Sequence, residues 1–230
     1  MTIILLPPPR RISNVSVEEA ILLRRSVREF SSDPITVEQL SMVLWAAYGV
    51  TDTRYGFRSS PSAGATYPLE IYVVVGEKGV LIENNAYLEP GIYKYNDRAH
   101  TIELLKHGDY REALSKAALS QPWVREAPVD IVITAVFERT TRFYGERGRT
   151  RYVPMDVGHT GQNIYLMATA LGLGTVAIGA FDDRRVAEIL TLKSGETPMY
   201  IMPIGKPRTQ RKTEFTDIAK YIENSRKGLA

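Results

Sequence analysis

Three arginines and a serine lie close together in AILLRRSVREF, the stretch from residue 20 to residue 30. They are Arg24, Arg25, Ser26 and Arg28. Cations at the end of a helix complement the negative end of its dipole, which is a structural role worth roughly 0.3–1 kcal/mol. A phosphate monoester instead needs fork-shaped donors, which arginine supplies, and a hydroxyl adds one more donor. The cluster therefore predicts either a helix end or a phosphate site.

Three further stretches have the composition of ligand-binding segments. RSSPSAGATYP (58–68) frames small residues with prolines, which lets backbone approach a flat ligand closely. TVAIGAFD (175–182) predicts a strand that ends in glycine and alanine before a helix start, where backbone N–H groups are available. PIGKPRTQRK (203–212) places basic residues after a strand end. Each stretch has an ordinary alternative: a flexible loop, a common strand-to-helix connection, or a solvated basic run.

The composition excludes several kinds of chemistry. The sequence has no cysteine, which excludes disulfides, thiolate catalysis and cysteine–metal sites. His100, His107 and His159 lack the spacing of metal ligands, so we predict no metal. The net charge of +3 is mild and does not indicate nucleic acid. No apolar run approaches the roughly 20 residues that span a bilayer, and the start does not fit a signal peptide. We expect a cytoplasmic protein with no membrane partner.

The periodicity predicts one α+β domain over residues 1–230, with an N-terminal arm at 1–11 and a C-terminal tail at 213–230. Capping boxes at Ser16 and Thr36 predict two helix starts. Predicted helices cover 17–25, 37–48, 109–119, 157–171 and 182–190, and the tail is weakly helical over 215–224. Predicted strands cover 69–75, 91–96, 101–106, 129–137, 175–181 and 199–205. The arginine-rich stretch 140–152 is interpreted as a surface excursion.

The helix predicted at 157–171 is apolar on almost every side, with Asp156 as its expected cap. Such a helix must be buried all round, and a subunit interface is one way to bury it. Gln162 and Asn163 are polar residues in this helix and need partners, either a ligand, a second subunit or the protein itself. His159 is expected at an interface rather than in catalysis.

Together these stretches resemble the FMN-dependent nitroreductase family over roughly residues 12–212. The order of the arginine–serine cluster, PSAGATYPLEIYVVV, GERG, RY, GH, QN and the terminal PIGKP is most similar to its SagB-type dehydrogenase branch. The resemblance implies an α+β fold with a mixed, mainly antiparallel sheet flanked by helices. It also implies an intertwined homodimer with FMN at the subunit interface.

The resemblance implies a role for each matching residue. Arg24, Arg25 and Ser26 would bind the phosphate and ribityl chain of FMN, and Arg28 would lie near the N1–C2 edge of the flavin, where a cation stabilises the reduced anionic ring. The loop over the ring, contributed by the partner subunit, would contain Pro61, Ser62, Ala63 and Gly64. The backbone that faces N5 and O4 would come from Ile178, Gly179 and Ala180, and Gln162 is a further candidate contact. The phosphate would also be reached from the C-terminal side by Arg211, with Lys212 or Arg208.

The implied activity is hydride transfer through flavin N5 in a ping-pong cycle, with NADH or NADPH as donor and a nitroaromatic or quinone-type acceptor. Such a cycle requires no catalytic side chain. A second interpretation is a SagB-type dehydrogenase that oxidises azoline heterocycles in modified peptides. Azoline-oxidising relatives carry a lysine–tyrosine pair, and the nearest pair here is Arg151–Tyr152, whose arginine is too basic to act as a general base. A third interpretation is a flavin-binding protein without turnover.

Overall fold

A computed structural model gives the structure of the protein and describes residues 2–209 and 213–228. The strands are β1 (Thr2–Leu5), β2 (Ile35–Thr36), β3 (Leu69–Val75), β4 (Val80–Leu81), β5 (Gly91–Asn96), β6 (Thr101–His107), β7 (Val129–Val136), β8 (Gly174–Thr175) and β9 (Glu196–Gly205). The α-helices are α1 (Val17–Leu23), α2 (Val37–Tyr48), α3 (Arg111–Ala117), α4 (Pro122–Glu126), α5 (Glu138–Arg147), α6 (Val153–Ala170), α7 (Asp183–Leu190) and α8 (Phe215–Arg226).

Seven strands form one antiparallel sheet in the order β1-β6-β5-β3-β7-β9-β8. β2 and β4 form a separate parallel pair. Helices cover both faces of the large sheet, so the α+β fold with a mainly antiparallel sheet is confirmed. No described helix is long and apolar enough to cross a membrane.

The central strand β3 separates two hydrophobic cores by the alternation of its side chains. Ile71, Val73 and Val75 face the core that α2 and α6 cover. Tyr72 and Val74 face the core that α3, α4 and α7 cover. The sheet is therefore buried on both faces, which explains why β3 and β7 are almost continuously apolar.

Both predicted capping boxes are present. The Ser16 hydroxyl accepts from the Glu19 N–H while the Glu19 carboxylate accepts from the Ser16 N–H, and Thr36 and Gln39 repeat this arrangement. The end of α1 differs from the prediction, because the helix stops at Leu23. Arg24 has ψ near 128° and lies just outside the helix, so the arginine cluster follows the helix and does not form its last turn.

Two other sequence predictions are wrong, and a third is incomplete. The stretch 140–152 is largely exposed, as expected for a surface excursion, but it is helical: it belongs to α5 and to a π-helical turn, Gly148–Tyr152, that leads directly into α6. Asp156 lies inside α6 and is buried, because the helix starts earlier, at Val153. The stretch 175–181 is mostly not a strand, and beyond Thr175 only Ile178 pairs with β9, through an isolated bridge to Ile201.

Candidate functional site

The segment from Arg24 to Arg28 lies directly against β8. Ser26 forms a parallel bridge with Thr175, and the Val27 N–H donates to the Thr175 carbonyl at 2.9 Å. This close approach requires a glycine, because a Cβ on Gly174 would come within 2.6 Å of Val27. The sequence therefore places the arginine cluster at the edge of the sheet where the predicted N5-facing segment begins.

Tyr165 of α6 joins this cluster to the segment after β8. Its phenol oxygen accepts a hydrogen bond from the Ala177 N–H at 2.8 Å and lies 3.1 Å from the Ser26 hydroxyl. The Arg24 guanidinium lies over the Tyr165 ring, 5.2 Å from its centroid. Cation–π contacts of this kind contribute about 0.5–2 kcal/mol. Tyr165 thus contacts three parts of the candidate site: Arg24, Ser26 and the backbone of Ala177.

Arg25 stabilises a helix end, which is one of the two roles that the sequence allowed for the arginine cluster. Its guanidinium donates to the carbonyls of Leu22 and Arg24 at 2.8 and 2.7 Å, so it satisfies free acceptors at the end of α1. Its side chain is nevertheless exposed, and its second amino group lies 3.4 Å from Thr213. The structure is therefore compatible with both roles of the cluster, the helix end and the phosphate site.

Two residues that the sequence analysis missed lie beside Arg28 and Ala180. The Arg28 guanidinium lies 5.7 Å from the ring centroid of Trp123, and the Gln121 amide donates to the Ala180 carbonyl at 3.2 Å. The turn before them is strained, since Leu119 and neighbouring Ser120 have positive φ values of 56° and 59°. Such strain in residues other than glycine is concentrated at functional sites.

The segment Ile178–Ala180 is anchored at one end and open at the other. Ile178 is buried and exchanges backbone hydrogen bonds of 2.9 and 3.0 Å with Ile201. Gly179 and Ala180 are exposed, and the nearest atom to a Cβ on Gly179 would be a Tyr200 ring carbon at 3.8 Å. The backbone at Gly179 and Ala180 is therefore accessible to a ligand.

Arg208 of the C-terminal basic run also reaches this region. The Arg208 N–H donates to the Glu29 carbonyl at 3.1 Å and its Nε donates to the Phe30 carbonyl at 2.9 Å, which ties it to the chain just after Arg28. Arg211 and Lys212 lie outside the described residues.

The loop Pro61–Gly64 lies elsewhere, against α5 and α6. Gly64 and neighbouring Ala65 have positive φ values of 59° and 50°, and the Tyr144 hydroxyl of α5 packs directly on Gly64. Asp156 of α6 lies beneath the loop: burial raises its pKa, and hydrogen bonds from the loop, chiefly from the Ser62 hydroxyl, oppose that rise. None of the hydrogen bonds among residues 2–209 and 213–228 joins this loop to the arginine cluster.

The remaining candidate residues either pack within the protein near this loop or are exposed to solvent. Tyr152 is half-buried, packs edge-on against Tyr144 at 5.0 Å and accepts from Arg147 Nε at 3.0 Å, whereas Arg151 is exposed. Asn163 donates to Ser59 and Ser60, so its partners lie within the protein. Gln162 is exposed, and no group that could hold a metal ion occurs in the described part of the chain.

Comparison with known proteins identifies the family of the chain. The Nitroreductase family model matches residues 21–206. A protein of Methanocaldococcus jannaschii named as a candidate nitroreductase is 49% identical over 195 residues, which are 85% of this chain and 93% of that protein. The crystal structure of a candidate nitroreductase from Ralstonia eutropha has a TM-score of 0.75 and 30% identity, and the match covers 90% of each chain. The trifolitoxin-processing protein TfxB of Rhizobium leguminosarum is 33% identical over 138 residues, 59% of this chain but only 35% of that protein.

The fold and these relatives define the class of the protein as an α+β oxidoreductase. Within that class, the chain belongs to the nitroreductase family. The family expected from the sequence is therefore confirmed.

Proposed function

We propose that the protein is a homodimeric FMN oxidoreductase that takes hydride from NADH or NADPH and passes it to nitroaromatic or quinone-type acceptors. One observation carries the proposal: Arg24, Ser26 and Arg28 lie beside the segment 175–180, whose last two residues are exposed. Tyr165, Gln121 and Trp123 hold the two parts in place. Family membership supports the same conclusion.

The chemistry of the residues present fits FMN. None of the ion pairs among the described residues involves Arg24, Arg25 or Arg28, so their charge is available to an anion. Two buried polar atoms nearby, Trp123 Nε1 and Thr175 Oγ1, have no hydrogen-bond partner in the described structure. Buried donors without partners are uncommon, and a bound ligand is one way to satisfy them.

Each residue then has a defined task. Arg24, Arg25 and Ser26 bind the phosphate and ribityl chain, and Arg208 approaches from the C-terminal side, with Arg211 and Lys212 as further candidates. FMN, when bound, supplies two-electron hydride transfer at N5. Arg28 would place a positive charge at the N1–C2 edge, which would favour the reduced anionic ring. The backbone of Gly179 and Ala180 would face N5 and O4.

A second copy of the chain completes this proposed site, because the loop Pro61–Gly64 lies apart from the arginines within one chain. Two apolar surfaces support the dimer. A groove of about 380 Å³ lies between the N-terminal arm, α1, α2 and α6, with Trp45 and Leu166 in its lining. α8 exposes a matching apolar face in which Phe215 is 55% and Tyr221 is 73% exposed. We propose that α8 of one copy covers the groove of the other.

The visible spectrum of the purified protein tests the proposal first. We expect flavin absorbance that bleaches on anaerobic addition of NADH or NADPH and returns with menadione or a nitrofuran. Arg24→Ala should weaken FMN binding by roughly 1.5–3 kcal/mol, the scale of a hydrogen bond to a charged group. Arg184→Ala is the matched control, because Arg184 is exposed on α7 and pairs only with nearby Glu188 within the described chain.

Two outcomes would contradict the proposal. A colourless protein that cannot be loaded with FMN excludes a flavin function altogether. A yellow protein that never bleaches with either nicotinamide indicates flavin binding without this turnover.

A second candidate function is oxidation of azoline heterocycles in modified peptides. The observation that favours it is the similarity to TfxB, which is named as a trifolitoxin-processing protein. Tyr152 is our candidate for proton transfer in this reaction. Arg147 donates to its oxygen, so its own hydrogen stays free. A thiazoline peptide that is oxidised by the FMN-loaded protein, and much more slowly by Tyr152→Phe, would support this function over the first.

A further inference from the structure

Three hydrogen-bonding groups form a short chain at the candidate phosphate site. The Ala177 N–H donates to the Tyr165 oxygen at 2.8 Å, and that oxygen lies 3.1 Å from Ser26 Oγ. Ser26 is exposed at the outer end of this chain, next to Arg24. Tyr165 is half-buried in the middle of α6 and is the inner member that connects both segments.

The donor at each step is fixed once an anion lies at Ser26. A phosphate dianion only accepts hydrogen bonds, so the Ser26 hydroxyl must donate to it. Ser26 Oγ is then free to accept from the Tyr165 hydroxyl, whose oxygen already accepts from the Ala177 N–H. Hydrogen bonds in such a chain polarise one another and strengthen the outermost donor.

We propose that Tyr165 is a positioning residue that turns the Ser26 hydroxyl toward the phosphate of the bound flavin nucleotide. Tyr165 contributes to phosphate recognition without contacting the phosphate itself. The proposal rests on the proposed function, because it takes FMN as the ligand. It also gives Tyr165 of α6 a role in nucleotide binding that no motif of the sequence indicates.

Tyr165→Phe removes a single oxygen and keeps the ring beneath Arg24, so it isolates the hydrogen-bond chain from the cation–π contact. We expect the dissociation constant for FMN to rise about tenfold in this variant, the scale of one charge-assisted hydrogen bond. Riboflavin lacks the phosphate, so its dissociation constant should stay within about twofold of the parent value. Tyr87→Phe is the matched control, because Tyr87 is 41% exposed and pairs with Leu81 of β4, which is outside the proposed site.

A double-mutant cycle with Ser26→Ala separates positioning from a general structural effect. The double variant should bind FMN no more weakly than Ser26→Ala alone, since Tyr165 acts through Ser26. Additive losses would overturn the inference, and so would an equal loss of riboflavin and FMN binding or an unchanged FMN affinity in Tyr165→Phe. A parent protein that binds no FMN would instead remove the proposed function, and the inference with it.

Discussion

Removal of Arg58 is expected to cause a large loss of stability, because this side chain anchors the loop that leads to Pro61. Its guanidinium lies over the rings of Tyr48 and Tyr67, 4.5 and 4.4 Å from their centroids. Arg58 Nε is 2.8 Å from Asp97 Oδ2, and the two side chains are only 13% and 20% exposed. The Asp97 oxygen has no hydrogen bond of good angle, so this contact is a close ion pair and not a linear hydrogen bond.

The expected magnitude follows from these contacts. Removing one partner of a buried ion pair costs about 3–5 kcal/mol, because the other charge is left without compensation. Each desolvated cation–π contact adds about 1–2 kcal/mol. The partial exposure of the pair and the contact that methionine keeps with the two rings reduce the total. We therefore expect Arg58→Met to lower the free energy of unfolding by about 3 kcal/mol, a large part of the usual 5–15 kcal/mol.

Urea unfolding of Arg58→Met, Asp97→Asn and the double variant measures the loss in the free energy of unfolding directly. If the unpaired Asp97 carboxylate causes most of the loss, Asp97→Asn in the Arg58→Met background should restore about 1–2 kcal/mol. A loss below about 1 kcal/mol in Arg58→Met, or purely additive effects, would refute the reasoning. The slope of each transition must match the parent for the comparison to hold.

Three further predictions concern other parts of the fold. Burial raises the pKa of Asp130 well above its usual range; the folded protein therefore keeps a proton that the unfolded chain releases, and this group destabilises the fold as pH rises above about 4. Asp130→Asn should be more stable than the parent at pH 7.5, with an advantage in urea unfolding that shrinks toward pH 4. Burial lowers the pKa of His100, which lies 2.7 Å from Ser41, so stability should fall below about pH 6.5, and His100→Gln should lose this part of the pH dependence. Gly174→Ala should cost roughly 1–3 kcal/mol and weaken FMN binding, because its Cβ would collide with Val27, and unchanged FMN titrations would contradict that reasoning.

Local signals in the sequence predicted the elements whose ends are fixed by neighbouring residues. The capping boxes at Ser16 and Thr36 each satisfy two backbone donors within four residues, so they specify a helix start without help from the rest of the chain. The β-branched apolar run of β3 and the glycine at 172, which has φ of 71°, mark a strand and a helix end for similarly local reasons.

The helical conformation of the stretch 138–152 could not be predicted from the same signals. It is polar and contains Gly145, whose φ and ψ of 56° and −143° interrupt the regular helix. Its order comes from long-range contacts: Arg139 pairs with Glu70 of β3, and the Thr140 hydroxyl lies 2.8 Å from that of Thr66. Contacts between residues some 70 positions apart leave no periodic pattern in the sequence.

The sequence indicates the candidate site residues that lie together in one segment. It does not indicate the residues that the fold brings to that segment from other elements. The arginine–serine cluster stands out in the sequence as one segment, whereas Gln121, Trp123 and Tyr165 were missed. In the sequence these three residues are an isolated amide, an isolated indole and an isolated phenol. Their importance arises because the sheet and α6 bring them to Ala180, Arg28 and Ser26.

The geometry of α6 explains why the proposed site requires two chains. Asp156 lies beneath the loop and Tyr165 beneath the arginine cluster, nine residues or about 14 Å apart along the helix axis. Two α6 helices packed antiparallel about a twofold axis would bring the loop of each chain toward the arginines of the other. The exposed face of α6 suits such packing, because Gly158, His159 and Gln162 lie along one side of it.

Substitution of Gly158 tests this arrangement. A Cβ at Gly158 meets no atom within 4 Å in the single chain, so Gly158→Arg should leave the folded chain intact and even favour the helix. Between two closely packed helices the same arginine would be buried without a partner. We expect Gly158→Arg to be a folded monomer by light scattering that no longer retains FMN, whereas Ala113→Arg on the exposed side of α3 should remain a dimer with flavin. A flavin-loaded dimer of Gly158→Arg would show that α6 does not form the interface and that each chain completes its site in another way.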